Sequence, residues 1–318
     1  MKRMFSLLLA LVLLAGGALA EGYNSFMDDP KNLGFFDQFA WDGLYAYWLH
    51  TPDDGSWADP PANLYRMIPG GMEAELLLEG REDLYIYDMQ NIGDRLLLSV
   101  ADSQNGPTHP ALINFDGSGY EALPGNIGSV VLGDGVLYNS VDGGIYKIPL
   151  DSMKPERIYK YPKEVLKDYP RITQYADGKI YFTTDTHDWY ELDIRSGKAR
   201  KFLHIRGNGF VMNGMFYISD YDALDGTWKY DISTGNRMKI SETVYDFKQG
   251  CGSLVRATGD DAESWFQGAI FDFSRIADDL ESAKVAECDE NYEFIIDGRL
   301  LHYDWQKNRV DWSEGSIL

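Results

Sequence analysis

The stretch from Tyr169 to Phe202 reads YPRITQYADGKIYFTTDTHDWYELDIRSGKARKF, and its pattern predicts four short strands joined by turns. Asp177-Gly178 and Ser196-Gly197 mark two of the turns, because such residue pairs accept the positive φ that a tight hairpin requires. Apolar and polar residues alternate between the turns, which is typical of half-buried strands. The stretch therefore predicts one four-stranded antiparallel sheet, with strands at 171–175, 179–184, 190–194 and 199–202.

The second strand of this unit recurs along the chain together with the turn that precedes it. The spacing between equivalent turn residues averages about 42 residues, which is the length of one four-stranded propeller blade. Paired same-face positions in the third strand recur in the same register, for example Tyr146/Ile148 and Tyr190/Leu192. The repeat predicts an all-β fold, a β-propeller of seven four-stranded blades. The turn residues equivalent to Gly178 are Gly43, Asp94, Gly135, Gly214, Gly252 and Gly298.

The seventh copy of the repeat is short, because the chain ends at Leu318 soon after its third strand. We expect residues 23–27 to supply its fourth strand, since a closed ring leaves no open sheet edge. A six-bladed ring with a decorated end is the alternative. In the sixth copy, residues 273–282 have a helical pattern and are expected to replace a tight turn.

The N-terminus has the features of a signal peptide. Lys2 and Arg3 precede an apolar run at 5–15, and Ala18-Leu19-Ala20 is a small-x-small cleavage site. We expect cleavage after Ala20 and a soluble exported protein, secreted or in the cell-envelope exterior or periplasm. No linker divides the remainder, so residues 21–318 are predicted to form a single propeller domain.

The formal net charge of −21 disfavours phosphate backbones and anionic lipid as partners. We therefore expect an extracellular protein or glycan as partner, with no nucleic acid, no membrane insertion after cleavage, and a monomeric chain. Cys251 and Cys288 have no metal-ligand spacing. The predicted register places them at opposite ends of a blade, too far apart for a disulfide.

Three segments carry a family resemblance: IYFTTD at 180–185, FYISD at 216–220 and IYKIPLD at 145–151. They resemble the strands of low-density-lipoprotein-receptor propellers and of the related bacterial exported propellers of unknown function. The resemblance is clearest from Gly125 to Glu242, although the strict Tyr-Trp-Thr-Asp tetrad is absent and receptor propellers have six blades. It implies a propeller fold and a binding function, and it transfers no ligand residues.

Loops between second and third strands share one face of a propeller with the connections between blades, and we call this the loop face. Here these loops are rich in aspartate, with tryptophans in or beside them. Such a rim suits stacking on sugars or binding of a cationic partner. The simpler explanation is that aspartate favours turns and tryptophan fills gaps between blades. The candidate binding residues are Trp57, Trp189, Trp265, Trp305, Asp185, His187 and Asp188.

Metal binding and catalysis have weaker signals. Asp220, Asp222 and Asp225 share one short loop and could ligate calcium, but their spacing is not that of an EF-hand. Scattered histidines at His50, His109 and His187 could also hold a metal. No nucleophile elbow, zinc-protease or phosphate-loop motif occurs, so no catalytic residue and no other cofactor is assigned. We expect a non-catalytic binding or scaffolding propeller that recognises its partner through the acidic, aromatic loop face. The alternatives are a glycan-active hydrolase or lyase and a purely structural ring.

Overall fold

The computed structural model describes residue 25 and residues 38–51, 60–222, 225–251, 253–261, 264–276, 279–289, 293–296, 299–304 and 306–313. At 249, 260–261, 264–267 and 289 it describes the backbone alone. The chain is a seven-bladed β-propeller, in which each blade is an antiparallel sheet with its strands in chain order. Within the described part, no helix has the length and apolar composition needed to cross a membrane.

The first strand of each blade is innermost, and each later strand lies further from the ring axis. Blades one and two contain β1 (Phe39–Trp41), β2 (Ala46–His50), β3 (Asn63–Met67), β4 (Glu75–Leu78), β5 (Tyr85–Asn91), β6 (Arg95–Ala101), β7 (His109–Asn114) and β8 (Glu121–Ala122). Blades three and four contain β9 (Ser129–Gly133), β10 (Val136–Val141), β11 (Gly144–Pro149), β12 (Glu156–Lys160), β13 (Arg171–Ala176), β14 (Lys179–Thr183), β15 (Asp188–Asp193) and β16 (Lys198–His204). One helical turn, α1 (Lys163–Leu166), lies between these two blades.

Blades five and six contain β17 (Gly209–Met212), β18 (Met215–Ser219), β19 (Thr227–Asp231), β20 (Arg237–Ser241), β21 (Val244–Cys251), β22 (Leu254–Asp261), β23 (Ser264–Asp272) and β24 (Lys284–Asp289). In the described residues, blade seven contains β25 (Glu293–Ile296), β26 (Arg299–Asp304) and β27 (Arg309–Trp312). The predicted repeat is therefore confirmed.

The predicted hairpin turns form as expected. Asp177 and Gly178 both have positive φ, at 52° and 73°, and they join β13 to β14. Asn213 and Gly214 do the same between β17 and β18, at 51° and 73°. Turns with two positive φ angles match the right-handed twist of their strands, so the local sequence sets the register of each blade.

The apolar core is divided into clusters that lie between neighbouring blades. Each described cluster draws its side chains from two adjacent blades, as between blades four and five, where Tyr181 and Phe216 are both buried. The ring closes in the same way where blade one meets blade seven. There the Phe39 and Phe294 rings lie 4.4 Å apart, and Trp48 Nε1 donates to Asn308 Oδ1 at 2.7 Å. A single blade cannot bury these faces alone, so burial requires the complete ring.

The segment expected to complete the seventh blade, 23–27, is described only at Ser25. Its amide donates to the carbonyl of Tyr175 at 2.8 Å, and its Oγ accepts from the Tyr175 amide at 2.8 Å. Tyr175 lies on β13, the innermost strand of blade four. At Ser25 the expected pairing with the seventh blade is therefore not observed, because the residue lies on the channel side of the ring and not at an outer edge.

Blade six differs from its prediction in two ways. β22 extends to Asp261 and β23 begins at Ser264, so these two strands are longer than the strands that the repeat predicts. The helix predicted at 273–282 is wrong, because the described part forms only a 3₁₀ turn at Glu281–Ala283.

Cys251 ends the innermost strand and does not begin the second, whereas Cys288 lies on the outermost strand; both are present as thiols.

Candidate functional site

A cavity of the loop face lies between blades three and four, and we call it the 3/4 groove. Its volume is about 570 Å³. Blade three has a tight hairpin at Asp142-Gly143, with φ of 49° and 79°. One wall of the groove is therefore a short loop that projects little from the ring. The other side is the long connection at 161–170, which carries α1. The groove therefore lies between a short hairpin of blade three and the long connection from blade three to blade four. Its lining includes Ser129, Ser140, Asp142, Tyr161, Leu166, Tyr169 and Arg171.

The floor of the 3/4 groove is a closed hydrogen-bond network. Ser140 Oγ and the Tyr161 hydroxyl lie 2.8 Å apart, and Ser140 Oγ also contacts the carbonyl of Pro170 at 3.1 Å. Ser129 Oγ accepts from the Ile172 amide at 2.8 Å. Burial raises the pKa of the Tyr161 hydroxyl well above its ordinary value, so it stays protonated at neutral pH. These hydroxyls hold the wall in place and are not poised for proton transfer.

The rim of the groove is apolar and exposed. Leu166 at the end of α1 is 45% exposed, and Tyr169 is 70% exposed. The φ of Tyr169 is 47°, in the left-handed region that bulky residues avoid at a cost of about 1–2 kcal/mol. The two side chains therefore present apolar surface beside a cavity, which is the arrangement that a ligand can cover.

Two of the predicted site residues lie near this groove. Asp185 Oδ1 pairs with Nη2 of the groove residue Arg171 at 3.1 Å, and both side chains are exposed. His187 has a φ of 63°, and its carbonyl accepts from the Ile205 amide at 3.0 Å. The loop after β14 is thus held in shape by its backbone. A binding role for these two residues stays a prediction.

Asp188 is an ion-pair partner within blade four. Its Oδ1 lies 2.6 Å from Lys201 Nζ and 2.6 Å from His204 Nδ1. Burial alone would raise the pKa of Asp188, but the hydrogen bonds from Lys201 and His204 outweigh it and lower the pKa. The carboxylate is therefore charged at neutral pH and is already paired with two side chains of β16.

Trp189 does not lie on an exposed rim, so this expectation is wrong. Its side chain is 2% exposed, its Nε1 donates to the carbonyl of Ile205 at 3.1 Å, and its ring lies 4.7 Å from that of Phe216. A buried ring offers no face to a ligand, so Trp189 packs blade four on blade five. Trp57 and Trp305 lie outside the described residues, and Trp265 is described only as backbone of β23.

The candidate metal ligands are not brought together. Asp222 Oδ1 pairs with Arg206 Nη1 at 3.2 Å, and Asp225 Oδ1 pairs with Lys239 Nζ at 2.8 Å. Asp220 Oδ1 accepts from the Asp222 amide at 3.0 Å, as in an ordinary Asx turn. Among the described residues, no group of three or more His, Cys, Asp or Glu side chains is placed to hold a metal ion. Calcium binding by this loop stays a prediction.

The histidines are likewise separated. His50 Nδ1 lies 2.8 Å from the Tyr303 hydroxyl, between blades one and seven. His109 Nε2 lies 3.2 Å from Asp102 Oδ1 in blade two, and His187 is in blade four. Three imidazoles on separate blades do not form a site, and each has its own local surroundings.

Tyr161, Leu166 and Tyr169 were not predicted from the sequence. The signal for them was the length of the connection 161–170, compared with the tight hairpin at Asp142-Gly143. A long connection beside a short one leaves a gap in the loop face. The positions of aspartates and tryptophans pointed to other residues and did not indicate this gap.

No protein-family model and no curated protein sequence matches the chain. A chain from the crystal structure of the mitotic checkpoint complex superposes with a TM-score of 0.59 at 10% identity, over 93% of this chain and 95% of that chain. The computationally designed Ika8 protein gives 0.50 at 10% identity, over 90% and 98%. BamB from Moraxella catarrhalis gives 0.46 at 10% identity, over 93% and 100%, a score too low to support an argument. These likenesses show the fold alone, and the resemblance to lipoprotein-receptor propellers stays a prediction.

Proposed function

We propose that the chain is a non-catalytic binding or scaffolding propeller, which holds a protein or glycan partner on its loop face through the 3/4 groove. The observation that carries this proposal is the cavity of about 570 Å³ with the exposed Leu166 and Tyr169 on its rim. Ligand sites commonly have volumes of roughly 300–1,000 Å³, with apolar walls and a few polar groups. The groove has this size and this composition.

The charge around the groove favours a neutral or cationic partner. Asp142 lies on its low side, and Asp185 pairs with Arg171 at its other wall. The chain as a whole has a net charge of −21, which repels polyanions at long range. A glycan would stack on the Tyr169 ring, and a protein would bury Tyr169 and Leu166 together.

The composition of the groove favours binding over glycan cleavage. Glycoside hydrolysis needs two carboxyl groups that face each other across the scissile bond. Among the residues lining the groove, Asp142 is the one carboxylate, and its Oδ1 accepts from Asn126 Nδ2 at 3.0 Å. Ser140 and Tyr161 are hydrogen-bonded to each other, and within the described part of the chain neither hydroxyl is hydrogen-bonded to a basic side chain. A glycan-active hydrolase or lyase is the second candidate, and turnover of a polysaccharide would favour it.

The cellular location is part of the proposal. We propose that residues 1–20 direct export and that cleavage after Ala20 releases a monomeric propeller into the secreted, periplasmic or outer-envelope space. The basic start, the apolar run and the small-x-small site support this. The partner would then be met outside the cytoplasm.

The test compares variants of exposed residues on opposite faces of the ring. Leu166→Ala and Tyr169→Ala alter the groove rim, whereas Leu44→Ala alters a turn on the opposite face. Each variant of the mature protein is used to capture partners from the exported fraction and is applied to a glycan array. We expect the groove variants to lose about tenfold or more in capture, as interface hot spots do. The Leu44 variant should bind normally, and all three should keep the parent thermal midpoint.

Two outcomes would contradict the proposal. One is full capture by both groove variants. The other is turnover of a polysaccharide in a panel of substrates, which would favour the glycan-active alternative.

A further inference from the structure

A second cavity lies between blades two and three, and it exists because one edge strand is very short. β8, the fourth strand of blade two, has 2 residues, whereas β4, β12, β20 and β16 have 4, 5, 5 and 7. Pro124 and Gly125 follow β8 almost directly, and Pro124 has no amide to continue the ladder. The outer part of the facing sheet, on β11 of blade three, is therefore left uncovered.

The result is a trough of about 280 Å³, which we call the 2/3 slot. It extends from Asp142 on the loop face to Met153 beyond the other end of β11, with Tyr146 and Ile148 between them. The 6 residues of β11 span about 20 Å at 3.3 Å per residue. A trough of this length suits an extended chain better than a compact small molecule. Its floor includes the buried residues Leu97, Ile127 and Leu137.

On the channel side of the interface between blades two and three, hydrogen bonding among the described residues is also incomplete. Gln90 on β5 is 7% exposed, and its Nε2 donates to the carbonyl of Val130 at 3.1 Å. Its Oε1 is buried and has no hydrogen-bond partner among the described residues. Gln90 lines a small cavity of about 20 Å³ that shares Leu97 and Ile127 with the 2/3 slot. Blades two and three are thus loosely joined on both sides of this floor.

Charges at the mouth of the slot define the partner that fits it. Asp142 lines the slot and is exposed. Exposed carboxylates within two positions of a lining residue outnumber the exposed cations there, so the mouth is acidic within an acidic chain. A cationic partner is favoured over an anionic one. The carboxylates are Glu121, Asp142, Asp151 and Glu156, and the cations are Lys154 and Arg157.

We propose that the 2/3 slot binds an extended, basic segment of a partner protein. An apolar side chain of the partner, of leucine size or larger, occupies the 2/3 slot against Tyr146 and Ile148. A neighbouring lysine or arginine of the partner forms an ion pair with Asp142. This inference goes beyond the proposed function, because it does not depend on the rim residues Leu166 and Tyr169 of the 3/4 groove.

The test uses fluorescence anisotropy with the mature protein and a fluorescein-labelled peptide of alternating leucine and lysine. Two matched peptides replace every leucine with serine or every lysine with glutamate. We expect saturable binding of the first peptide and binding at least about tenfold weaker for each matched peptide. The serine peptide tests the trough, and the glutamate peptide tests the acidic mouth.

Protein variants locate the peptide on the surface. Ile148→Trp fills the trough and should abolish binding, whereas Ile68→Trp, at an exposed isoleucine of blade one, should not. Asp142→Asn keeps the shape and tolerates the positive φ at this position, so it should weaken binding several-fold and reduce its salt dependence. Thermal midpoints show that each variant is folded.

Several results would overturn the inference. These are no saturable binding, equal binding of the serine peptide, or binding that survives Ile148→Trp in a folded protein. Loss of peptide binding in Tyr169→Ala but not in Ile148→Trp would move the site to the 3/4 groove and would equally reject the slot.

Discussion

The side-chain amide of Gln174 makes a two-way hydrogen-bond pair with the backbone of Val211. Gln174 Nε2 donates to the Val211 carbonyl at 2.8 Å, and the Val211 amide donates to Gln174 Oε1 at 2.7 Å. The pair joins the innermost strands of blades four and five and is fully buried. Gln90 is the equivalent residue of blade two in the repeat, but among the described residues only its amide nitrogen is paired with the neighbouring blade. The same residue type therefore joins one pair of blades tightly and another loosely.

Gln174→Ala should destabilise the fold more than Gln90→Ala. The first change leaves a buried amide and a buried carbonyl of Val211 without partners, at about 1–3 kcal/mol each. We expect a loss of about 2–4 kcal/mol for Gln174→Ala and about 1 kcal/mol for Gln90→Ala, where one carbonyl is left. Denaturant unfolding midpoints measure both. Equal losses would show that the two-way pair adds no stability.

Trp189→Ala should lower the free energy of unfolding. Capture of the partner by the folded variant should be unchanged. The ring is buried against Phe216, so its removal leaves a cavity, and we expect a loss of about 3–5 kcal/mol. The matched control is Trp228→Ala on the next blade, where the ring is half-buried and lies under the Arg237 guanidinium at 4.9 Å. That change should cost about 1 kcal/mol. A Trp189 variant with the parent midpoint and no capture would restore the binding interpretation.

The case of Trp189 shows why the fold could be predicted and much of the site could not. The turn at Asp177-Gly178 and the alternation through Tyr190 and Leu192 are local, because each follows from residues within one strand or hairpin. The burial of Trp189 depends instead on Phe216, which belongs to another blade and comes 27 positions later. No local pattern distinguishes a ring that faces solvent from one that faces the next blade.

The cavities were unpredictable for a related reason. The 3/4 groove depends on the relative lengths of the 161–170 connection and the Asp142-Gly143 hairpin, and the 2/3 slot depends on the early end of β8. Each is a difference between two neighbouring blades. The sequence repeat is an average over all blades, so it predicts the number of blades but not the gaps between them.

Gly133→Ala should be costly because of a neighbouring ring. A Cβ built on Gly133 would lie 2.3 Å from Cγ of Tyr175, on the next blade. Gly135, two residues later, has open space around it but a φ of +72°. We expect Gly133→Ala to cost about 3 kcal/mol through overpacking and Gly135→Ala about 1 kcal/mol through backbone strain.

A double variant separates these two causes. In a Tyr175→Ala background the ring is gone, so the added cost of Gly133→Ala should fall to within about 1 kcal/mol of zero. The cost of Gly135→Ala should be the same in both backgrounds. A Gly133 cost that persists without the Tyr175 ring would contradict the steric explanation.

Buried tyrosines should make the protein sensitive to alkaline pH. Burial raises the pKa of Tyr217 to about 12, whereas an unfolded tyrosine titrates near 10. The folded state therefore favours the protonated hydroxyl, and its contribution to stability is complete below pH 10 and is lost as the pH rises towards 12. A tenfold change in an acid dissociation constant corresponds to about 1.4 kcal/mol, so the loss approaches about 2–3 kcal/mol. Denaturation midpoints measured from pH 8 to 11.5 should fall more steeply for the parent than for Tyr217→Phe. Tyr169→Phe, at an exposed ring, should follow the parent curve, and parallel curves for all three proteins would show that ionisation of Tyr217 does not oppose folding.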